Sequence, residues 1–413
     1  MADIKNYAVV TASYWGFTIT DGALRMLVLL HFHALGYKPL DLAFLFLLYE
    51  AMGIVTNFFG GWIGARFGLR STLFAGLFIQ IIALLMLAAL PTELTMTLSV
   101  AYVMAAQALS GIAKDLTKMS SKSAVKLVVP DTGHGLLFKW VAMLTGSKNA
   151  LKGVGFFVGG YLLYRIGFEG ALIAMASALA IILVCSAVYL TSDLGRAKSK
   201  IRGKELFSKT REINYLSAAR IFLFASRDIW FVVGVPVFLA EVVGWDFDQI
   251  GSFMALWVIG YGVVQALVPK LLRRTRSSES AATAAKVWGL VLAIAPAFIG
   301  FGISDYGSAA IRSVLPDFES ASFLVRGLVL FGVVFAINSA LHSYLIVAYS
   351  DAEKVSLNVG FYYMANAIGR LVGTLLSGLV YQYHGLVACL IVSSAMVVAA
   401  VLFTLPLAGR EKP

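Results

Sequence analysis

The sequence predicts an all-α integral membrane protein, with twelve transmembrane helices in two six-helix halves. Hydrophobic residues make up 60% of its 413 residues and charged residues only 13%, and the mean hydropathy is +0.84. A soluble domain carries roughly 25% charged residues. Apolar runs recur from end to end, many of them near the ~20 residues that a helix needs to cross a bilayer. A basic segment in the middle of the chain separates these runs into two sets of six.

The N-terminal half, residues 1–191, contains the first six predicted helices. They lie near 7–30, 39–63, 71–90, 95–120, 135–164 and 169–191. The basic central loop, 192–213, follows, and the C-terminal half, 214–413, contains the remaining helices. These lie near 214–240, 248–269, 283–303, 322–348, 356–380 and 385–408. Glycine and proline mark the joins between helices, as they commonly do.

The distribution of basic residues predicts the orientation in the membrane, because the side richer in Lys and Arg faces the cytoplasm. The central loop and one set of connecting segments hold most of these residues. Examples are Arg66, Arg70, Lys122, Lys126, Lys270, Arg273, Arg274, Arg276, Arg410 and Lys412. The first segment lacks the basic flank and cleavage site of a signal peptide, so we expect it to remain as a membrane helix. The sequence predicts a multi-pass protein of the cell (inner) membrane with both termini cytoplasmic.

Several classes of function lack their characteristic residues. Cys185 and Cys389 are the only cysteines and lie far apart in apolar runs, so neither a disulfide framework nor a cysteine metal site is indicated. The histidines and acids show no metal-ligand spacing, and no glycine loop precedes a lysine as in nucleotide-binding proteins. The sequence contains no nucleophile–base pair that would indicate an enzyme. It also contains no predicted soluble domain that would indicate a sensor or a nucleic-acid-binding protein. We therefore predict a protein that is not an enzyme and has no cofactor or metal.

Between predicted helices 2 and 3 lies GGWIGARFGLRS, residues 60–71. This stretch resembles the cytoplasmic signature of the major facilitator superfamily, a glycine-rich turn that ends in Asp-Arg-x-Gly-Arg-Arg. The positions that fit are Gly61, Arg66, Phe67, Gly68 and Arg70. Ala65 and Leu69 replace one acidic and one basic position, so the charge latch of the signature lacks its acid. The resemblance implies two parallel six-helix repeats and transport by alternating access.

A short internal repeat supports the division into halves. SKNALKGVGFFVGG, 147–160, aligns with ANAIGRLVGTLLSG, 365–378, so Lys148 meets Asn366 and Lys152 meets Arg370. The two segments belong to predicted helices 5 and 11, which are equivalent positions in parallel repeats. The glycines of predicted helix 5 are spaced much as in an antiporter signature of the same superfamily. Close helix packing through small residues is the simpler explanation of those glycines.

Ionisable residues at bilayer depth are costly, so each one requires an explanation. Counted from the helix ends at 1.5 Å per residue, those near the midplane are Asp21, Arg25, Glu50, Lys148, Lys152, Arg227, Asp228 and Arg370. Predicted helix 4 adds a lysine every four residues along one face. These lysines are Lys114, Lys118, Lys122 and Lys126. All belong to helices that line or border the substrate cavity in the superfamily, as a water-filled path would require.

Structural pairing is an alternative explanation for some of these charges. Asp21 and Arg25 are four residues apart and could neutralise each other on one helix face. Glu50 could pair with Arg25 from the neighbouring helix or could carry a proton. Arg227 and Asp228 are adjacent and point in different directions, so we expect them to have separate partners.

Bases outnumber acids near the midplane, and predicted helix 5 has no acid of its own. An unpaired positive charge at low dielectric needs an anion, and phosphate-like groups suit both Arg and Lys. The sequence therefore predicts a polyanionic small-molecule substrate. The predicted substrate-binding residues are Arg25, Lys114, Lys118, Lys148, Lys152, Arg227, Asn338, Tyr362, Asn366 and Arg370. The candidates for proton coupling are Asp21, Glu50 and Asp228.

Five blocks of sequence carry a closer resemblance. They are TASYWGFTITDGALRMLVLLHFH, QALSGIAKDLTKMSSKSAVKL, LFKWVAMLTGSKNALKGVGFF, FGVVFAINSALHSYLIVAYSD and NVGFYYMANAIGRLVGTLLSG. These blocks resemble the organoarsenical efflux permease family, often called ArsJ. The resemblance implies export of 1-arseno-3-phosphoglycerate and arsenate resistance. It also implies a functional link to a glyceraldehyde-3-phosphate dehydrogenase, which makes this adduct.

The resulting hypothesis is a monomeric, proton-coupled antiporter that exports an organoarsenical anion. Lys114 and Lys118 would gather the anion from the cytoplasm. Two distant cysteines provide no thiolate site for trivalent arsenic, so arsenic would be bound as a phosphate-like oxyanion. The alternative is a transporter or exchanger of sugar phosphates or other organic phosphate anions, because the same basic residues would serve either substrate.

Overall fold

The computed structural model is all-α, with no β-strand among the residues that it describes. It describes the backbone of residues 2–91, 93–128, 134–190, 210–271, 278–350 and 355–407. Side chains are described within these ranges except at 2–4, 60–67, 69, 119, 122–128, 134–146, 269–271, 347 and 355–357. The predicted fold class is confirmed.

Eleven helices follow one another within these ranges. They are α1 (Ala2–Ala34), α2 (Pro39–Ala88), α3 (Met96–Val128), α4 (His134–Tyr189), α5 (Arg211–Phe231), α6 (Gly234–Glu241), α7 (Phe247–Leu271), α8 (Ser278–Ile303), α9 (Asp305–Arg312), α10 (Ser320–Ala348) and α11 (Val355–Thr404). Within the described parts of these helices, nine segments are long and apolar enough to cross a membrane. The count of twelve membrane helices stays a prediction.

Three of the long helices contain a single residue with non-helical geometry. Gly68 in α2, Gly167 in α4 and Gly385 in α11 have φ values of 77°, 73° and 72° with an extended ψ. Only glycine adopts this combination without strain, because a Cβ would collide with the neighbouring carbonyl. Gly68 and Gly167 lie in predicted joins between membrane helices, and Gly385 is the first residue of the last predicted helix.

Predicted helix 7 is broken where the sequence predicts one continuous span. Its residues form α5 and α6, with Val232 and Val233 between them. Pro236 explains the break, because proline has no N–H for the carbonyl four residues earlier and its ring collides with that carbonyl. The hydroxyl of Ser377 on α11 accepts hydrogen bonds from the N–H groups of Val233 and Gly234, each at 3.1 Å. The break is thus capped by a side chain of a neighbouring helix.

The chain divides into two compact units. The first contains Met1–Leu35, Leu45–Glu205 and Asp246–Gly262, and the second contains Gly36–Phe44, Leu206–Trp245 and Val263–Pro413. The predicted domain boundaries at 191 and 214 stay a prediction.

In the first unit, α1 packs mainly on α4 and α3. A Cβ added to Gly22 of α1 would lie 2.5 Å from the carbonyl of Lys152, and one added to Gly155 of α4 would lie 3.0 Å from the Cα of Gly22. The two backbones therefore touch, which only glycine permits. Close packing is what the glycines of predicted helix 5 provide.

In the second unit, α5 packs mainly on α11, and α8 packs on α10 and α11. A core of buried apolar residues joins these helices, including Leu216, Leu341 and Tyr349. Gly369 and Gly373 of α11 lie against the backbone of α5 at Ile221 and Ala225. The long helix α11 thus contacts α5 as closely as α4 contacts α1.

Candidate anion-binding site

Asp21 of α1 is the acid that neutralises Lys152 in the first unit. Its Oδ2 lies 3.7 Å from Lys152 Nζ on α4, and its Oδ1 accepts a hydrogen bond of 2.6 Å from the hydroxyl of Tyr49 on α2. The carboxylate is buried, whereas Lys152 keeps 16% of its side chain exposed. The acid missing from predicted helix 5 is therefore supplied by α1.

Arg25 pairs with Glu50 rather than with Asp21. Its Nη1 donates to Glu50 Oε1 at 3.2 Å, and the Glu50 side chain is only 1% exposed. The rings of Phe46 and Tyr49 lie 5.2 and 5.8 Å from the guanidinium carbon. The suggestion that Asp21 and Arg25 neutralise each other is wrong, because each residue forms an ion pair with a residue of a neighbouring helix.

Two further predicted basic residues lie near these pairs. Lys114 Nζ on α3 lies 3.9 Å from the ring centroid of Tyr49, a cation–π contact. Lys148 lies one turn before Lys152 on α4 and is partly buried. Next to it, Ser147 accepts a hydrogen bond of 3.1 Å from the indole nitrogen of Trp15 on α1.

Asp115 on α3 is a buried acid that the sequence interpretation did not weigh. Its side chain is 0% exposed and accepts hydrogen bonds from Thr56 at 2.5 Å and Asn57 at 3.2 Å on α2. Lys118, one turn along α3, donates to Asp115 at 3.3 Å and to Asn57 Oδ1 at 2.7 Å. One of the two lysines predicted to gather the substrate is therefore held by an acid on its own helix.

In the second unit, Asp228 on α5 neutralises two arginines. Arg227 Nε donates to its Oδ1 at 2.6 Å, and Arg370 Nε on α11 lies 3.5 Å from its Oδ2. The expectation of separate partners for Arg227 and Asp228 is wrong. The two Cβ atoms point apart, but the three methylenes of arginine let its guanidinium bend back to the neighbouring carboxylate.

The two units repeat the same arrangement. Lys152 on α4 contacts Asp21 on α1, and Arg370 on α11 contacts Asp228 on α5. Three residues after each base, a glycine touches the partner helix, at Gly155 and at Gly373. The sequence alignment of 147–160 with 365–378 places both bases and both glycines at equivalent positions.

Arg220 on α5 is a buried base that was not among the predicted site residues. It is 4% exposed, and its Nε donates to Asn366 Oδ1 on α11 at 3.2 Å. Its Nη1 donates to the carbonyl and the hydroxyl of Ser339 on α10, at 3.3 and 3.1 Å. The ring of Tyr362 lies 4.8 Å from its guanidinium carbon. Asn366 and Tyr362, both predicted substrate-binding residues, therefore surround Arg220.

The remaining predicted positions divide into two groups. Asn338 on α10 is buried, and its amide donates to the carbonyl of Ala285 on α8 at 2.9 Å, which joins these helices. The side chains of Arg66, Lys122 and Lys126 lie outside the described residues. Among the residues with described side chains, no group of three or more His, Cys, Asp or Glu could hold a metal ion.

Helices long enough to cross a bilayer, with ion pairs buried between them, define a multi-pass membrane protein. The model of the Major Facilitator Superfamily matches residues 8–342. The chain belongs to this superfamily. Membership of this superfamily indicates a membrane transporter rather than an enzyme.

Solved structures share the fold over nearly the whole chain. A POT family transporter in complex with a thioalcohol-conjugated peptide has 14% sequence identity and a TM-score of 0.71, covering 95% of this chain and 94% of its own. The human organic anion transporter MFSD10 has 16% identity and a TM-score of 0.65, covering 97% and 99%. The nucleoside transporter NupG has 13% identity and a TM-score of 0.69, covering 98% of both chains. No curated protein sequence matches the chain significantly.

Proposed function

We propose that this protein is a secondary active transporter that exports an organic anion with phosphate-like groups from the cytoplasm. The proposed substrate is 1-arseno-3-phosphoglycerate, whose export would confer arsenate resistance. The excess of basic over acidic side chains at the membrane positions of both units is the observation that carries this proposal. The resemblance of five sequence blocks to the ArsJ family supports the particular substrate.

The excess remains after every described ion pair has been taken into account. In the first unit, three acids, Asp21, Glu50 and Asp115, accompany five bases. The bases are Arg25, Lys114, Lys118, Lys148 and Lys152. In the second unit, Asp228 accompanies three bases, Arg220, Arg227 and Arg370. A substrate with several negative charges would compensate this excess, whereas a neutral or cationic substrate would leave it uncompensated.

Oxyanion chemistry suits the residues that are present. A planar guanidinium binds two oxygens of a phosphate or arsenate at once, and a lysine supplies a compact point charge. The two cysteines offer no paired thiolates, since Cys185 is exposed and Cys389 is buried. We therefore propose that arsenic is bound as an arsenate ester and not through sulfur.

The transport cycle is proposed to exchange the anion for protons by alternating access. Lys148, Lys152 and Arg25 are the proposed anion-binding residues of the first unit, and Arg227 and Arg370 are those of the second unit. Lys114 and Lys118 would attract the anion from the cytoplasm. Asp21, Glu50 or Asp228 would take up a proton on the outer side after the anion has left, and would release it on the cytoplasmic side before the next anion binds.

Arsenate resistance of cells and uptake into vesicles test the proposal. Lys148→Ala and Lys152→Ala are each expected to abolish resistance at normal expression, whereas Lys5→Ala, at the exposed start of α1, is expected to retain it. Everted vesicles should accumulate the purified arseno compound when a pH gradient is imposed. Full resistance in both lysine variants would refute the site, and accumulation that ignores the gradient would refute proton antiport.

Transport of sugar phosphates or other organic phosphates is the second candidate, because the bases would serve either substrate. Competition between the arseno compound and ordinary 3-phosphoglycerate in the same vesicles separates the two functions. We further propose that the protein acts as a monomer in the cell (inner) membrane with both termini cytoplasmic. The adduct would come from a glyceraldehyde-3-phosphate dehydrogenase.

A further inference from the structure

Arg220 is the one Lys or Arg that is buried among the side chains that the structure describes. Its hydrogen bonds go to neutral acceptors only, the amide of Asn366 and the carbonyl and hydroxyl of Ser339. Within the described ranges, no carboxylate lies within 4.0 Å of its guanidinium. By contrast, Arg227 and Arg370 in the same unit both form ion pairs with Asp228. A buried cation without an anion is unfavourable.

The guanidinium of Arg220 is held in one orientation. Three helices contribute to its surroundings, with Phe224 on α5, Ser339 on α10, and Tyr362 and Asn366 on α11. The ring centroids of Phe224 and Tyr362 lie 4.0 and 4.8 Å from its central carbon. Two of its three nitrogens are engaged by hydrogen bonds. Such a fixed group loses little conformational freedom when it binds an anion.

A second positive centre lies close to Arg220 in the same unit. Arg227 is seven residues along α5, and its guanidinium carbon lies 4.9 Å from the same Phe224 ring centroid. The two guanidinium carbons are therefore separated by no more than the sum of these two distances. Arg227 shares its only described acid, Asp228, with Arg370. Two centres of net positive charge therefore lie close to one aromatic ring, and they repel at low dielectric.

We propose that Arg220 binds one end of the substrate and that Arg227 with Arg370 binds the other. The second unit would then select short organic anions that carry negative groups at both ends. An anion charged at one end relieves only one of the two centres, whereas an anion charged at both ends relieves both. This inference rests on the proposed transport of phosphate-like anions and specifies the substrate class further.

Two stable probes test this selectivity with the purified full-length protein. 3-Phosphoglycerate carries a negative group at each end of three carbons, and glycerol 3-phosphate carries a phosphate at one end only. In calorimetric titrations, the wild-type protein is expected to bind 3-phosphoglycerate about tenfold more tightly or better. Arg220→Gln is expected to remove this preference while changing the Kd for glycerol 3-phosphate less than about threefold. Arg326→Gln, at an exposed position on α10, is expected to retain the preference.

Each outcome separates this inference from the proposed function. Binding of neither probe by the wild-type protein would overturn the proposed transport of phosphate-like anions, and this inference with it. A preference for 3-phosphoglycerate that survives in Arg220→Gln would overturn the inference alone. An equal loss for both probes would assign Arg220 a structural role. If Arg220→Gln does not fold, Arg220→Lys provides a second test, because lysine keeps the positive charge but lacks the planar guanidinium. This variant is expected to reduce the preference for 3-phosphoglycerate. An unchanged preference would overturn the inference.

Discussion

Lys152 on α4 and Asp21 on α1 form an ion pair of 3.7 Å at the place where the two helix backbones touch. Arg370 and Asp228 form the equivalent pair in the second unit, at 3.5 Å. In both units the base precedes by three residues the glycine that brings the helices together. The charge pair and the close backbone contact therefore form one structural arrangement that occurs in both units.

Removal of one partner of the first pair is expected to destabilise the protein more than removal of both. Lys152→Ala should lower the free energy of unfolding by about 3 kcal/mol, because it leaves a buried carboxylate without a cation. The double variant Lys152→Ala and Asp21→Asn should recover more than half of this loss. Thermal unfolding in detergent measures both. A double variant no more stable than Lys152→Ala would show that the pair does not couple these residues.

A methyl group at the helix contact is expected to separate α1 from α4. In Gly155→Ala, the new Cβ would lie 3.0 Å or less from atoms of Gly22 and Ala23, and overpacking of this kind costs about 1–3 kcal/mol. Gly260→Ala on α7 is the matched control, because its Cβ would meet nothing within 4 Å. The control should be neutral or slightly stabilising, since alanine favours the helix. Equal unfolding temperatures for the two variants would contradict the close contact.

Asp115→Asn is expected to be among the most destabilising single substitutions in the first unit. The amide keeps only one acceptor oxygen, so the hydrogen bonds from Thr56, Asn57 and Lys118 cannot all be retained, and Lys118 loses its carboxylate, at a cost of about 3–5 kcal/mol. Thr56→Val removes one of these hydrogen bonds and should cost about 1 kcal/mol. Unfolding temperatures of the two purified variants provide the comparison. The prediction fails if Asp115→Asn is as stable as Thr56→Val.

Ser377→Ala is expected to loosen the break between α5 and α6. It leaves the N–H groups of Val233 and Gly234 without the acceptor that they share, at a cost of about 1–3 kcal/mol. Hydrogen exchange should accelerate at 232–235 and remain unchanged at the far end of α5. Ser308→Ala, at a half-buried position on α9, serves as the control. Unchanged exchange at the break would mean that another group stabilises it.

Glu50→Gln is expected to retain anion binding and to lose the response of transport to a pH gradient. The substitution removes a titratable group that is 1% exposed and leaves Arg25 positive. Vesicle uptake with and without a gradient measures the response, and Glu241→Gln, at an exposed position at the end of α6, is the control. Gradient-driven uptake by Glu50→Gln would assign the coupling to Asp21 or Asp228.

The sequence was sufficient for the parts of the fold that depend on local pattern. Apolar length predicted the helices, and glycines marked the joins at Gly68, Gly167 and Gly385. The break before Pro236 also had a local signal, because proline inside a predicted span interrupts the helix. The short helix α9, whose N-terminus is capped by Ser304, lies in a segment treated as a connection.

Partners of charged side chains were harder to predict, because they depend on how helices pack. Spacing along one helix suggested an ion pair between Asp21 and Arg25. In the structure, Asp21 pairs with a lysine on α4 and Arg25 pairs with a glutamate on α2. Asp115 was missed because it lies within a row of lysines, although an acid beside two lysines on a membrane helix was itself a signal. Arg220 was not predicted as a site residue, because its neutral partners on α10 and α11 depend on how the helices pack.

The hydrogen bond between Trp15 and Ser147 places an indole ring beside Lys148, one of the bases proposed to hold the anion. Indole emission responds to charge and hydrogen bonding in its surroundings. The protein therefore contains its own optical reporter at the first unit's charged helix. With the other six tryptophans replaced, emission from Trp15 alone would follow the arrival of a ligand in real time, without a label or a radioactive substrate.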